Sequence, residues 1–373
     1  MNKSCVIMLD PRGVVLSGGY DVIKRHHSYA QDLAKESKDK KISLLILSAS
    51  ISNIKIYQLG NLQINNISKP TFNAYNFAKK AFQAIKNSDV KLLVVGDPWE
   101  SFWSAKILNK YLPNKVPIQM QLHGDIASPA WRKISLRNNL RYFVAKFSLP
   151  KASGIRAVSP IQSQLITNAF KVSRERITVI PVPISDLKLA SPKLKSRPKS
   201  LALVGRVQND RGLLTFLKLI KSLTLVRNDF NLLIIGDGPD RKSFLEKLMK
   251  IIPKSKVSFL GYLSESKLKK IWKKVGVLIS TAPAESYGRV MREALVAGIP
   301  VWATRSSGVE DLLSKSNKTS IKILDLTKSS KELSRELDQL FKTKVELKFR
   351  NQIIKDNSTY SRLLAKSWLK LID

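Results

Sequence analysis

Residues 285–304, ESYGRVMREALVAGIPVWAT, carry the strongest pattern in the sequence. Glu285 precedes a helix-like run that contains Glu293, and Gly298 ends this run before the strand-like segment IPVWAT. Because a helix advances 3.6 residues per turn, Glu293 is expected near the helix start and Glu285 on the preceding loop. Both can reach the carboxyl ends of parallel strands, where open α/β sheets bind ligands. Two carboxylates there can accept hydrogen bonds from sugar and ribose hydroxyls.

The rest of the chain alternates strand-like with helix-like runs. Apolar segments such as ISLLILS from Ile42 and FNLLIIG from Phe230 are separated by amphipathic ones such as TFNAYNFAKKAFQAIKN from Thr71. Strands that are apolar on both faces and alternate with helices predict doubly wound α/β domains with parallel sheets.

The length of 373 residues indicates two domains. A stretch rich in Pro, Ser and Lys, with little periodicity, predicts a linker between them. We expect an N-terminal acceptor-binding domain at 1–184, a linker at 185–199, a C-terminal nucleotide-sugar-binding domain at 200–355, and a helix at 356–373 that crosses back to the N-terminal domain.

The formal charge is +37, from 65 Lys and Arg against 28 Asp and Glu. Such a charge attracts nucleic acid, anionic lipid or phosphorylated substrates, although lysine-rich codon usage accounts for part of it. The single cysteine, Cys5, forms no intramolecular disulfide, which fits a reducing cytoplasm. No run approaches the roughly 18 apolar residues of a membrane span, and the N-terminus does not resemble a signal peptide. We expect a cytoplasmic protein, either free or peripheral on the inner face of the cytoplasmic membrane.

Two arginines after the first strand of the second half predict a diphosphate clamp. In LALVGRVQNDRGLL, Arg206 follows the strand end at Gly205, and Arg211 precedes a helix that begins near Gly212. Guanidiniums beside a helix N-terminus suit a diphosphate, although two solvated arginines would give the same pattern.

Two further turns extend this pattern. Gly236 and Gly238, in the turn after the next strand, are expected to leave room for a nucleotide base, although a plain turn is the alternative. The run Ser306-Ser307-Gly308 precedes a helix expected near Val309, whose N–H groups can hold a phosphate.

Together these stretches resemble the group 1 (family 4) retaining glycosyltransferases, which have the GT-B fold. The matching segments cover most of residues 200–315 in the family's order and spacing: VGRVQNDRG, IIGDGP, VSFLGYLSESKL, ESYGRVMREALVAGIPVWAT and the SSG turn. The resemblance implies two Rossmann-like domains that face a cleft. It also implies transfer of a sugar from a nucleotide-diphosphate donor without a metal cofactor, and the chain lacks the Asp-x-Asp metal motif of the other glycosyltransferase fold.

The resemblance implies roles for single residues as well. Glu285 would contact the donor sugar, and Glu293 would contact the nucleotide ribose. Arg211 stands where the family usually has lysine, and Ser307-Gly308 stands where Gly-Gly is common. The catalytic candidates are Glu285, His123, Arg206 and Arg211. The donor-binding candidates are Gly18, Gly19, Arg206, Arg211, Gly236, Gly238, Glu285, Ser286, Tyr287, Gly288, Arg289, Glu293 and Gly308.

The first half matches the family more loosely. Residues 17–20, SGGY, are expected to form a glycine loop near the transfer centre, with Arg25 and His26 at the start of the following helix; a structural turn is the alternative. His123, at a strand end, would face the donor sugar, whereas a lone histidine is more often structural. The acceptor-side candidates are Asp97 and Asp125.

Residues 132–156 contain seven basic residues and no acidic one. A basic amphipathic helix can lie on an anionic bilayer, whereas one that packs its apolar side on its own sheet would leave the basic residues merely solvated. The candidate membrane contacts are Arg132, Lys133, Arg137, Arg141 and Lys146.

These observations predict a retaining glycosyltransferase that acts on a hydroxyl of a glycan or lipid-linked acceptor in polysaccharide or lipopolysaccharide synthesis at the cell envelope. Its partners would be a nucleotide-sugar donor, that acceptor and an anionic membrane surface. A GT-B sugar-nucleotide epimerase is the alternative. A basic nucleic-acid-binding protein is a weaker one, because the sequence lacks an aromatic-rich RNA motif, a zinc finger or a convincing recognition helix.

Overall fold

The computed structural model describes residues 4–38, 41–51, 55–71, 73–184, 198–316 and 319–373. The chain forms two compact units. Unit 1 comprises Met1–Pro181 with Thr359–Asp373, and unit 2 comprises Val182–Ser358. Most of the expected linker lies outside the described residues.

Unit 1 contains an eight-stranded sheet whose inner strands are almost wholly buried. Its order is β3-β4-β2-β1-β5-β6-β7-β8, and every pairing is parallel except that of β3 with β4. The strands are β1 (Ser4–Asp10), β2 (Ser43–Ala49), β3 (Ile56–Leu59), β4 (Leu62–Ser68), β5 (Asp89–Val95), β6 (Ile118–Gln121), β7 (Gly154–Ala157) and β8 (Ile177–Val179).

Helices connect these strands, and several begin at side chains that satisfy free backbone N–H groups. Ser135 and Ser159 each accept a hydrogen bond from the N–H three residues later, at the starts of α6 and α7. The helices are α1 (Val14–Ser17), α2 (Gly19–Glu36), α3 (Ala74–Ala84), α4 (Glu100–Tyr111), α5 (Pro129–Lys133), α6 (Leu136–Ser148) and α7 (Pro160–Phe170).

Unit 2 contains a six-stranded, all-parallel sheet with the order β11-β10-β9-β12-β13-β14. Its strands are β9 (Ser200–Val204), β10 (Asn231–Ile235), β11 (Val257–Gly261), β12 (Val277–Ser280), β13 (Val301–Ala303) and β14 (Ile321–Ile323). Its helices are α8 (Leu213–Thr224), α9 (Arg241–Met249), α10 (Glu265–Ile271), α11 (Arg289–Val296), α12 (Ser307–Leu313), α13 (Ser330–Lys342) and α14 (Leu347–Ser358). The chain runs from β9 outward to β11 and returns to β12 on the other side of β9. The carboxyl ends of β9 and β12 therefore form a topological switch point, the usual ligand position of such sheets.

The last helix, α15 (Tyr360–Ile372), packs in unit 1. Leu364, Ala365 and Trp368 are buried in the apolar cluster that contains strand residues of β1, β2 and β5. The indole Nε1 of Trp368 donates to Oε1 of Gln119 at 2.8 Å, which ties the helix to β6.

Both units are thus doubly wound and Rossmann-like, and the predicted fold class is confirmed. Among the described residues, no helix is both long and apolar enough to span a bilayer.

Candidate active site

The loops after β9 and β12 meet at the switch point of unit 2. Nη2 of Arg211, on the first loop, donates to Oε2 of Glu285, on the second, at 2.7 Å. The other carboxylate oxygen of Glu285 accepts the N–H of Gly288 at 3.0 Å. The structure therefore brings Arg211, predicted to bind the diphosphate, into direct contact with Glu285, predicted to bind the donor sugar. Both side chains stay partly exposed, at 40% for Arg211 and 20% for Glu285.

This contact depends on a glycine beside Arg211. Gly212 has φ of 77° and starts α8, and a Cβ there would lie 1.9 Å from the carbonyl oxygen of Thr281. Only glycine combines this left-handed conformation with so close an approach. The two loops can therefore touch, and Arg211 is held beside the loop of Glu285.

Arg206, the other predicted diphosphate ligand, lies on the same β9 loop as Arg211. Its side chain is exposed, and its Nη1 donates to Oε1 of Gln208 at 3.2 Å. A neutral amide partner leaves the full positive charge of the guanidinium, which an incoming anion can use.

The second glutamate lies one turn into α11, as the sequence predicted. Gly288, with φ of 71°, starts this helix, and Oε1 of Glu293 accepts from Nε of Arg289 at 2.9 Å. The side chain of Glu293 is only 4% exposed, whereas that of Arg289 is 43% exposed. The carboxylate is thus held at the inner side of the helix, with Arg289 between it and solvent.

The start of α12 is built differently from the expectation. The helix begins at Ser307, two residues before the expected Val309, because the hydroxyl of Ser306 accepts the N–H of Val309 and caps the helix. The N–H of Gly308 donates to the carbonyl oxygen of Glu285 at 2.7 Å. The N–H of Gly308 therefore holds the Glu285 loop, and phosphate binding at this helix start stays a prediction.

The reason given for Gly236 and Gly238 is also corrected. A Cβ on Gly236 would lie 1.8 Å from the carbonyl oxygen of Gly205, and one on Gly238 would lie 2.3 Å from that of Val207. The space beside these glycines is therefore filled by the neighbouring β9 loop and is not open to a base. Their absent side chains let the β9 and β10 loops pack together, and nucleotide contact by their main chain stays a prediction.

A buried ion pair joins α11 to α12, and the sequence analysis missed it. Nη2 of Arg292 donates to Oδ2 of Asp311 at 2.5 Å, and both side chains are at most 3% exposed. The guanidinium of Arg292 also lies 3.6 Å from the ring centroid of the buried Tyr287. A single arginine among the apolar positions of VMREALV was the signal available in the sequence.

Ser286 and Tyr287 lie at the base of the Glu285 loop. Both are 4% exposed, and the ring of Tyr287 packs beneath Arg292. The tyrosine thereby supports the loop, and direct donor contact by the two side chains stays a prediction.

In unit 1, His123 follows β6 and remains accessible to solvent. The pKa of His123 is lowered to about 3, first because crowding by protein atoms desolvates the ring, and then because Arg156, Arg25 and His26 place positive charge near it. The imidazole is thus neutral at pH 7 and suited to hydrogen bonding with a neutral hydroxyl. Because Arg25 and His26 act on the pKa of His123, these two residues of α2 lie near His123 within unit 1.

The predicted glycine loop at residues 17–20 is largely helical. Helix α1 ends at Ser17, and α2 begins at Gly19, because Gly18 adopts helical angles of −78° and 0°. Arg25 and His26 therefore lie about two turns into α2 rather than at its start. Gly18 and Gly19 are exposed, so their main chain stays a candidate for donor binding.

The tight turn after β1 instead belongs to Gly13 and Asp10. A Cβ on Gly13 would lie 2.1 Å from the carbonyl oxygen of Ala49. The carboxylate of Asp10 accepts the N–H groups of Val14 and Val15 at 3.0 and 2.9 Å. An acidic residue at the end of a strand, three residues before a glycine, was the signal available in the sequence.

The two acceptor-side candidates are buried. Oδ2 of Asp97 accepts from Nη2 of Arg12 at 2.7 Å, and its Oδ1 accepts the N–H of Trp99 at 2.8 Å. These bonds give Asp97 a structural role ahead of α4. Asp125 is 1% exposed in the loop between β6 and α5. Acceptor contact by either carboxylate stays a prediction.

The basic segment 132–156 is not one helix, which corrects that expectation. It comprises the end of α5, all of α6 and most of β7, because Ser135 caps a new helix and Gly154 begins a strand. Arg156 lies in β7, is 1% exposed, and donates to the carbonyl oxygens of Ile180 and Pro181.

Three of the five candidate membrane contacts are also engaged within unit 1, and one of them is Lys146, whose Nζ lies 5.4 Å from the ring centroid of Tyr142. Arg132 lies 4.1 Å from the ring centroid of Tyr142. Arg141 pairs with Glu100 at 3.1 Å and lies 4.6 Å from a ring centroid of Trp99. Lys133, Arg137 and Lys146 are exposed, so these three remain the residues placed to meet an anionic surface.

No group of three or more His, Cys, Asp and Glu suited to a metal ion occurs in the described part of the chain. A metal-independent reaction stays a prediction from the family resemblance.

Solved structures of GT-B glycosyltransferases share this fold. A sucrose-phosphate synthase structure from Thermosynechococcus elongatus superposes with a TM-score of 0.75 at 16% identity, covering 99% of this chain and 98% of that one. Anabaena HepE in complex with UDP and glucose gives a TM-score of 0.62 at 17% identity, covering 98% and 96%.

Sequence comparison gives the family. Residues 186–359, which span nearly all of unit 2, match the model of the glycosyl transferases group 1 family, and the resemblance noted from the sequence is confirmed. An alpha-monoglucosyldiacylglycerol synthase from Streptococcus pneumoniae is 24% identical over 262 residues, which cover 65% of this chain and 58% of that protein. The chain spans less than two thirds of the length of each curated relative it matches.

Proposed function

We propose that the protein is a retaining glycosyltransferase that moves a sugar from a nucleotide-diphosphate donor to a hydroxyl of a glycan or lipid-linked acceptor in cell-envelope synthesis. The observation that carries the proposal is the contact between Arg211 and Glu285 at the switch point of unit 2, which matches the group 1 model. The lipid product in the name of the pneumococcal relative and the UDP bound to the Anabaena structure support the acceptor and donor classes.

In this proposal the ion pair is the resting arrangement of the donor site. Arg211 and Glu285 neutralise each other while the site is empty. The donor supplies a diphosphate, which takes the guanidinium, and sugar hydroxyls, which take the carboxylate. The guanidinium thus exchanges the carboxylate for a diphosphate, and the carboxylate exchanges the guanidinium for hydroxyl groups. Donor binding therefore leaves neither charged group without a hydrogen-bonding partner.

The reaction breaks the bond between the anomeric carbon and the diphosphate oxygen and forms one between that carbon and the acceptor oxygen. Negative charge grows on the leaving diphosphate, where Arg206 and Arg211 stabilise it most in the transition state. The acceptor hydroxyl attacks from the face that the diphosphate leaves, and its proton passes to a leaving phosphate oxygen. Configuration at the anomeric carbon is retained.

Donor binding is tested by thermal shift with UDP-, GDP- and ADP-sugars, because a ligand of the native state raises its melting temperature. We expect one donor class to stabilise the wild type and Glu246→Gln, an exposed control on α9. Arg206→Ala and Glu293→Gln should lose most of that shift. Stabilisation that is equal in all four proteins would contradict the assigned site.

Transfer is tested by NMR of the product formed from the bound donor and candidate lipid or glycan acceptors. The same anomeric configuration in donor and product supports retention, whereas an inverted product contradicts it. A new epimer of the free sugar nucleotide, formed without acceptor, would instead establish the epimerase alternative. Activity that survives chelation by EDTA is expected from a site without a metal.

The location proposed is peripheral, at the inner face of the cytoplasmic membrane, where a lipid-linked acceptor would present its hydroxyl. The charge of +37 supports an anionic surface as partner, and nucleic acid is not proposed as one.

A further inference from the structure

Helix α6 has two apolar faces, and only one of them is buried. Tyr142, Ala145 and Ser148 pack into unit 1. On the other side, five large apolar side chains face solvent: Leu136 (85% exposed), Leu140 (67%), Phe143 (47%), Val144 (38%) and Phe147 (66%). We call these five residues the α6 stripe.

The spacing of the α6 stripe is typical of a helix face that contacts another apolar surface. Leu136, Leu140, Phe143 and Phe147 recur at i, i+4, i+7 and i+11, which places them within an arc of about 60° on a helix with 3.6 residues per turn. Such a row normally faces the core of a globular protein. Here the opposite face of α6 packs into the core of unit 1, and the α6 stripe stays exposed.

Positive charge borders the α6 stripe on both sides. Arg137 and Lys146 lie on opposite flanks of the stripe, and Lys133 precedes the helix; all three are exposed. Residues 101–174 contain twelve Lys and Arg but a single acidic residue, Asp125, which is buried. The surroundings of the stripe therefore repel another copy of this basic chain and attract an anionic surface.

An anionic lipid bilayer matches both the apolar stripe and its basic flanks, because hydrocarbon lies beneath negatively charged headgroups. A helix with an apolar face and basic flanks lies in the plane of the bilayer interface, and its affinity combines burial of the apolar face with attraction to anionic lipid. We propose that α6 docks unit 1 on an anionic bilayer, with the α6 stripe inserted among the acyl chains and Lys133, Arg137 and Lys146 at the headgroups. This inference deepens the proposed location, but its test requires neither donor nor transfer.

Vesicle flotation tests the stripe separately from the overall charge. Vesicles of phosphatidylcholine alone are compared with vesicles that also contain phosphatidylglycerol. The stripe variant is Leu140→Ser with Phe147→Ser, and the matched control is Leu214→Ser with Leu225→Ser, two residues of similar exposure (63% and 72%) in unit 2. All three proteins have the same net charge, so any difference reports the apolar contact.

We expect the wild type and the control to float with the anionic vesicles and much less with the neutral ones. The stripe variant should bind the anionic vesicles roughly tenfold or more weakly, because two large side chains lose their burial. Arg137→Gln with Lys146→Gln should weaken anionic binding and leave neutral binding unchanged. Equal melting temperatures would show that the substitutions leave the fold intact.

Insertion itself is tested with Phe147→Trp and lipids brominated on their acyl chains. Extra fluorescence quenching relative to the wild type is expected, since the added indole would lie among the acyl chains.

Three results would overturn the proposal. One is no flotation of the wild type with anionic vesicles, and another is flotation of the stripe variant equal to that of the wild type. The third is a dimer, seen by sedimentation equilibrium without lipid and dissociated by the stripe substitutions, which would assign the face to a second copy. Loss of donor binding in these variants would concern the proposed function instead.

Discussion

The two units share one architecture but fix their strand-end loops in different ways. In unit 2, side chains from different elements pair with each other: Arg211 with Glu285 across the switch point, and Arg292 with Asp311 between α11 and α12. In unit 1, three charged side chains at strand ends bind main chain, although Asp97 also pairs with Arg12. Asp10 and Asp97 accept backbone N–H groups within five residues, and Arg156 donates to two carbonyl oxygens.

The resemblance to the family is strong in one half of the chain and weak in the other. A pair between side chains fixes the identity of both residues, whereas a side chain bound to main chain leaves its partner position free in sequence. The match to the family covers residues 186–359, which lie almost wholly in unit 2. We therefore expect Arg292 with Asp311 and Arg211 with Glu285 to act as coupled pairs, whereas positions that bind only main chain should act singly.

The largest expected effect comes from the pair Arg292–Asp311. Arg292→Leu leaves a buried carboxylate without its main partner, and Asp311→Leu leaves a buried guanidinium, so each should lower the free energy of unfolding by about 3 to 5 kcal/mol. Lys315, 3.3 Å from Asp311, should make the first substitution the milder of the two. Urea unfolding followed by circular dichroism measures both.

The double variant with leucine at both positions tests whether Arg292 and Asp311 are energetically coupled. An apolar replacement of a buried ion pair is often close to neutral, so the double change should cost much less than the sum of the single ones. Additive costs would show that the two residues act independently. Lys242→Leu with Glu246→Leu, on the exposed face of α9, provides a control for surface substitution.

A smaller effect is expected at the point where the two loops of the switch point touch. Gly212→Ala imposes left-handed angles on an alanine and places a methyl group against the carbonyl of Thr281. The expected loss is about 3 kcal/mol, from strain of about 1 to 2 kcal/mol and a similar cost of overpacking. Thermal unfolding measures the loss, and donor affinity should fall with it because Arg211 is displaced.

Gly19→Ala is the matched test in unit 1. Gly19 also has positive φ, at 74°, but a Cβ there would have no atom within 4 Å. It should therefore cost only the strain, about 1 to 2 kcal/mol. Equal losses at the two glycines would mean that the close approach of the loops in unit 2 contributes nothing.

Two histidines of unit 1 have a lowered pKa, and His26 is the one whose side chain is buried. Nδ1–H of His26 donates to the carbonyl oxygen of Val22, and the pKa of His26 is lowered from 6.5 to about 4, chiefly by burial. Between these two values the unfolded chain binds more protons than the folded one, so stability falls as the pH falls. The loss attributable to His26 should reach about 2 kcal/mol by pH 5.

Urea unfolding midpoints, measured from about pH 8 to about pH 5, test this expectation. His26→Gln should make this part of the curve less steep, because glutamine does not titrate and only the contribution of His123 remains. His27→Gln, at the adjacent position, controls for the general cost of a glutamine in α2. An unchanged slope in His26→Gln would assign the acid sensitivity to other groups.

The sequence predicted the elements better than their contacts. Parallel strands that are apolar on both faces, and helices with one apolar side, are local patterns, and the doubly wound fold follows from them. The helix that carries Glu293 was placed correctly because Gly288 and Gly298 mark its ends. Long-range contacts have no such local mark.

The glycines of the site show the same limit. A Cβ on Gly236, Gly238 or Gly308 would meet another loop of the same unit, a contact that the sequence does not reveal. A glycine in sequence shows that something comes close, and only the fold shows what. The same holds for the basic segment, where charge alone could not separate the internal Arg132, Arg141 and Arg156 from the exposed lysines and Arg137.

The smallest expected effect tests whether charge or geometry matters at Arg211, where the family usually has lysine. Arg211→Lys keeps the charge that faces Glu285 and the leaving diphosphate, so kcat/KM for the donor should change by less than about tenfold, or about 1.4 kcal/mol. Arg211→Met removes the charge and should cost about a hundredfold to a thousandfold, as loss of one stabilising group in a transition state does. A lysine variant as impaired as the methionine variant would mean that the two-pronged guanidinium contact is essential. The clamp of unit 2 would then depend on bond geometry, and its arginine could not be exchanged for the family's residue.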